Sequence, residues 1–157
     1  MRRMLLAALA AVMLASCGSQ PQPAASTEAQ PAEPAKPRDE TRRFPLDGQV
    51  STKLVTGHML NKPFLPGGTM AHFKKGTKEF DMFVTQFPTA TDASIALANF
   101  EGALEGAHLI PTFGGYFGTD GGRPIFVFPK DTWIAGVIGL PEKEADSEAR
   151  VLAAHLN

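Results

Sequence analysis

Three kinds of hydrophobic patterning follow one another along the chain. From Met4 to Ala15 every side chain is apolar, with Arg2 and Arg3 in front. From Gly18 to about Arg43 large apolar residues are absent, and Gln, Pro, Ala and Glu dominate. From Phe44 onward apolar positions return with the periods of helices and strands.

Two stretches have helical spacing. Ala93, Leu97, Phe100 and Leu104 form one stripe. Thr89-Ala90-Thr91-Asp92 precedes them as a capping signal, and Gly106 is the expected stop. Ala145, Ala149, Leu152 and Leu156 form the second stripe. That helix is expected to open at Pro141, with Glu142 and Glu144 at its positive end and Asp146 placed to pair with Arg150.

Strands account for most of the rest. Thr69 to Phe73 and Phe80 to Phe87 flank Lys74-Lys75-Gly76-Thr77-Lys78, which reads as a hairpin loop. Phe113 to Gly118 and Arg123 to Phe128 flank Thr119-Asp120-Gly121-Gly122, a strong turn signal. After Pro129-Lys130-Asp131, the run from Thr132 to Gly139 lacks polar alternation and suits a central strand covered on both faces. Between Val50 and Leu60 an extra strand or a short helix stays open, because Gly57, Pro63, Pro66, Gly67 and Gly68 interrupt the region. The expected fold is α+β: a mainly antiparallel sheet of about five strands with two helices, in the order β-β-α-β-β-β-α.

The first segment carries an address. A dozen apolar residues behind two arginines make a secretory signal, too short for the roughly 20 residues of a membrane-spanning helix. The run ends in Leu14-Ala15-Ser16-Cys17, which resembles the lipobox of bacterial lipoproteins. The resemblance implies a diacylglyceryl group on the Cys17 thiol and cleavage before it, with Leu14, Ala15 and Ser16 presenting the backbone to the peptidase. The expected division is a signal peptide over 1–16, the lipidated cysteine and a tether over 17–43, and one globular domain over 44–157. The tether would reach roughly 30 Å as a flexible coil and up to about 75 Å fully extended. Gly18 stands where an Asp would resemble an inner-membrane retention signal. The expected location is therefore the bacterial cell membrane through lipid, the outer membrane facing the periplasm where the host has two membranes.

Composition narrows the partners. Cys17 is the single cysteine, so no internal disulfide supports the fold. Without Arg2 and Arg3, 13 basic side chains face 16 acidic ones, a net charge of −3. That balance, with the exported address, argues against nucleic acid. The partners expected are the membrane, reached through lipid on Cys17, and an envelope protein or small ligand.

Candidate chemistry is sparse. No G-x-S-x-G, Walker A, G-x-G-x-x-G, H-E-x-x-H or EF-hand pattern occurs, so neither an enzyme nor a cofactor is expected. Ser51, His58 and Asp47 are close in sequence, but a catalytic triad is a matter of geometry. His58-Met59 and Met70-Ala71-His72 pair imidazole with thioether, which suits Cu(I); the same residues also read as core methionines with histidines at strand ends. Phe113, Tyr116 and Phe117, interleaved with Gly114, Gly115 and Gly118, read either as an aromatic wall for a ligand or as aromatics packed over bare backbone. Lys74, Lys75 and Lys78 read as a solvated hairpin tip, with contact to anionic head groups as the alternative.

The segments Phe113–Gly118, Phe126–Lys130 and Trp133–Val137 resemble a family of uncharacterised exported bacterial domains. The similarity spans Ala71 to Leu156 and implies a fold. It carries no catalytic residues that could be transferred.

Overall fold

Trp133–Ile138 lies fully buried at the middle of a seven-stranded antiparallel sheet in the computed structural model, which describes residues 36–156. The strands are β1 (Gln49–Val55), β2 (Gly68–Lys75), β3 (Lys78–Gln86), β4 (Glu105–Ile110), β5 (Gly115–Asp120), β6 (Arg123–Lys130) and β7 (Trp133–Ile138). Helix α1 (Ala90–Ala103) joins β3 to β4, and α2 (Glu142–Ala154) follows β7. The order across the sheet is β1-β2-β3-β7-β6-β5-β4.

The absence of alternation in β7 has the expected cause. Trp133, Ala135 and Val137 join the core under α2, with Phe126 and Phe128 of β6 and Ala145, Ala149 and Leu152 of the helix. Ile134 and Ile138 join the opposite core under α1, with Ile125, Val127, Phe83, Ala93, Leu97 and Phe100. Each helix has one apolar stripe, so each covers one face.

Both helix caps follow the sequence signals. The Thr89 hydroxyl accepts the Asp92 N–H at 3.1 Å. Pro141 is the N-cap of α2, with Glu142 and Glu144 in its first turn. Gly106 is not the stop of α1. The helix ends at Ala103, Leu104 is extended, and Gly106 sits in β4 at φ +63, where the register with β5 shifts. A glycine at positive φ here makes a strand bulge rather than a helix end.

The sheet has seven strands where five were expected, and the two missed are its edges. All seven residues of β1 are exposed or half-buried, and so are all six of β4, so neither shows an apolar face. The other differences are shifts of boundary. The β2–β3 turn is only Gly76-Thr77, and Phe113 lies in the turn before β5 rather than in the strand.

Residues N-terminal to Phe44 also pack on the domain. Thr41–Arg43 forms a 3₁₀ turn, and the Glu40 N–H donates to Thr69 Oγ1 at 2.9 Å. Thr69 Oγ1 in turn donates to the Arg38 carbonyl at 3.2 Å, and the Thr41 and Thr52 hydroxyls meet at 3.1 Å. This strap, residues 38–44, crosses β1 and β2 on the α2 face and ends with Phe44 buried in that core. On the other face the segment after β1 does the equivalent work. Met59 and Leu65 are buried against the α1 core, and Phe64 meets Phe100 edge-on at 5.3 Å.

Candidate functional site

The lipidation residues Leu14, Ala15, Ser16 and Cys17 lie outside the described residues. The four candidate metal ligands are described, and each has its own surroundings. Met59 is fully buried, its methyl group packed where Gly68 leaves room, and Met70 leans on the same core. His58 Nδ1 lies 3.0 Å from the Leu65 carbonyl. His72 shares a face with Met70, as their spacing on a strand requires, but its Nδ1 is 2.8 Å from Asp81 Oδ1. Gly68, beneath Met59, is four residues from His72, about 13 Å along the strand. The fold therefore brings the two thioethers into one apolar cluster and turns the two imidazoles to other partners. No group of three or more His, Cys, Asp or Glu side chains among the described residues is arranged to hold a metal ion.

The three aromatics of the glycine-rich segment separate onto two faces. Phe113 packs edge-on against Phe126 and Phe128 at 5.5 and 4.8 Å, and Phe117 lies 5.7 Å from the His108 ring, both on the α2 side. Tyr116 points to the α1 side, where the hydrogen bond with Glu101 raises its phenol above the ordinary value. Gly115 lets β5 close on β6: a Cβ there would stand 2.3 Å from the Val127 carbonyl oxygen. These features pack the sheet and do not form a single aromatic wall.

The lysines of the β2–β3 hairpin are engaged by carboxylates. Lys74 pairs with Glu79 at 2.7 Å, Lys75 with Glu148 at 2.9 Å, and Lys78 with Glu144 at 2.8 Å.

A groove runs beside α2. It has a volume of about 550 Å³ and is lined by Ile110, Thr112, Phe126, Glu142, Lys143, Asp146 and Arg150. Phe126 and Ile110 form the apolar floor because α2 covers β6 and β7 but stops short of β4. Two side-chain bridges cross from helix to sheet edge. At one end His108 Nε2 meets Glu142 Oε2 at 3.0 Å. At the other, Arg150 donates to Thr112 Oγ1 at 3.4 Å while its guanidinium lies 5.2 Å from the Phe113 ring centroid. Arg150 is held by both oxygens of Asp146, at 3.0 and 3.1 Å, and that hydrogen bonding raises its affinity for its proton. Lys143 forms no ion pair among the described residues. The groove thus has an apolar base, a rim of charged side chains hydrogen-bonded to neighbours and one uncommitted ammonium group.

The Asp146–Arg150 pair was visible in the sequence only as a helix-surface pair. His108, Ile110 and Thr112 carried no signal, because the edge strand and the turn after it that present them were not legible.

No protein family matches the chain, and no curated protein is similar to it. A crystal structure of a GTP-binding regulator from Thermotoga maritima has a similar fold, with a TM-score of 0.50 and 13% identity over 68% of this chain and 75% of that one. At that identity the likeness concerns the fold alone. No helix among the described residues is long and apolar enough to cross a membrane.

Proposed function

We propose that this protein is a lipid-anchored lipoprotein of the bacterial cell envelope whose domain binds a small ligand or partner surface in the groove beside α2. The groove carries the reading: an apolar floor of Phe126 and Ile110 under a rim whose charges, except Lys143, satisfy one another. Such a rim favours an occupant with an apolar body and few formal charges, since a strongly charged one would have to break existing pairs. The lipobox-like Leu14-Ala15-Ser16-Cys17 and the polar segment after it supply the anchor and the reach. Two acyl chains on Cys17 suffice for stable attachment, at about 0.8 kcal/mol for each buried methylene. The GTP binding named for the structural neighbour is not carried over, because the chain has no Walker A sequence.

The anchor is tested by metabolic labelling with a radiolabelled fatty acid and by fractionation. The native chain is expected in the membrane fraction with label, and Cys17→Ala without label. Equal labelling of both would remove the anchor from the proposal. The groove is tested with a photo-crosslinking residue at Thr112, which should capture an envelope component that the same residue at Ser94, exposed on α1, does not. Identical capture from both positions would count against the groove.

A further inference from the structure

A row of polar side chains crosses the opposite face of the sheet. The β1–β2 register sets Ser51 opposite His72, and the β2–β3 register sets His72 opposite Asp81. Side chains directly opposite one another share a face, with Cβ atoms about 4.5–5.5 Å apart. Ser51, His72 and Asp81 are therefore neighbours in that order on three adjacent strands, although 30 residues separate the first from the last. We propose that this row is an acyl-ester-hydrolysing site, with Ser51 as nucleophile, His72 as general base and Asp81 as the group that orients the base.

The acidic end is built as this chemistry requires. Asp81 Oδ1 lies 2.8 Å from His72 Nδ1, and Arg123 Nη2 donates to Asp81 Oδ2 at 2.9 Å. A carboxylate that accepts from Arg123 on one oxygen and faces the imidazole with the other keeps the imidazole proton on Nδ1 and leaves the Nε2 lone pair as the base. Nε2 has no partner among the described residues, and the His72 side chain is 40% exposed against 18% for Asp81. The orienting group is thus sheltered and the base is open to a substrate.

Ser51 is exposed, and its hydroxyl makes no hydrogen bond among the described residues, to His72 included. Rotation about one side-chain bond moves the oxygen along the row, and nucleophile–base contacts are often loose before substrate arrives. Lys53 shares the face two residues along β1 and forms no ion pair among the described residues. Its ammonium is the group placed to meet negative charge developing beside Ser51. Ser51 and Lys53 are exposed and the His72 side chain is accessible, so the face is open along the row. Such a face suits an ester displayed on a polymer or a lipid surface.

In the first step Ser51 Oγ attacks the ester carbonyl carbon and its proton passes to His72 Nε2. The tetrahedral oxyanion faces Lys53. The bond to the alcohol oxygen breaks, and His72 returns the proton to the departing alkoxide, leaving acyl-Ser51. Water, deprotonated by Nε2, then attacks the acyl carbon and releases the carboxylic acid and free Ser51. The sum is ester plus water to acid plus alcohol.

The test is hydrolysis of p-nitrophenyl acetate by the full chain in detergent, with peptide mass spectrometry of the quenched enzyme. Ser51→Ala and His72→Gln are expected to lower the rate at least ~100-fold and Lys53→Ala about tenfold. An acetyl adduct should appear on Ser51 and persist longer in Asp81→Asn. Ser51→Ala alters an exposed side chain, so matching thermal melts would establish that its fold is intact. A rate that Ser51→Ala leaves unchanged, or an acetyl group found only on lysines or His72, would overturn the proposal and leave the row as a clip between β2 and β3.

Discussion

The guanidinium of Arg43 lies 4.7 Å from the centroid of the Trp133 ring. The same side chain bonds Glu40 at 3.1 Å and reaches the His155 carbonyl at 3.4 Å. It therefore joins the strap, the central strand and the end of α2. Arg43→Ala is expected to destabilise the domain by about 1 kcal/mol. Urea denaturation followed by the fluorescence of Trp133, the single tryptophan, measures this directly. An unchanged midpoint would show that the contact contributes nothing.

The strap makes a separate prediction about where the domain begins. Thr69 is fully buried, and its hydroxyl is satisfied by Glu40 and Arg38. A chain starting at Phe44 loses both partners. It should be less stable than one starting at Lys36 by about 2 kcal/mol, the usual cost of an orphaned buried hydroxyl. Equal melting of the two would mean that water replaces the strap.

Gly136 is the tightest point in the core. A Cβ there would lie 2.4 Å from Phe83 Cε1 and 2.6 Å from the Phe126 carbonyl oxygen. The ring is fully buried and the carbonyl belongs to β6, so neither can retreat cheaply. Gly136→Ala should cost about 3 kcal/mol. Pairing it with Phe83→Leu should recover part of the loss, and denaturation of the four chains of that cycle checks it.

Gly121 and Gly122 form the β5–β6 turn with φ of +55 and +79. Nothing stands near a Cβ at Gly121, so a substitution there is penalised by backbone conformation alone. Gly121→Val should lose about 1–2 kcal/mol, and Gly121→Asn clearly less, since asparagine tolerates positive φ. Equal losses in thermal melts would point to a steric cause instead.

Tyr116 is the single tyrosine, so its absorbance reports one group. The hydrogen bond with Glu101, then burial, then the Glu101 charge raise its phenol above 10.0. The native fold thus favours the protonated ring, and the unfolded chain ionises first. The linked stability is fully present below the ordinary value and is lost as pH rises through the shifted one. Glu101→Gln should move the alkaline absorbance transition to lower pH. No movement would remove Glu101 as the cause.

Whether sequence reading succeeded depended on where burial falls. The stripes of α1 and α2, the Thr89 cap, the Pro141 start and the Gly121 turn were legible because each is a relation among residues a few positions apart. The strands β1 and β4 were not, because each has a neighbour on one side only and its side chains face water. Gly106 was misread for a related reason: a glycine after an apolar helix reads as a stop, and only pairing with β5 makes it a bulge.

By itself the sequence determined the α+β class, the helix-covered β7 and the lipobox-like motif, since these rest on local period or on contiguous residues. The tertiary structure alone decided the edge strands, the groove walled by α2 and β4, and the row from Ser51 through His72 to Asp81. The four candidate metal ligands show the same division. Their spacing correctly placed Met70 and His72 on one face, yet register delivered His72 to Asp81. Register is a pairing between strands distant along the chain, set by the fit of both sheet faces against their cores. No local pattern encodes it.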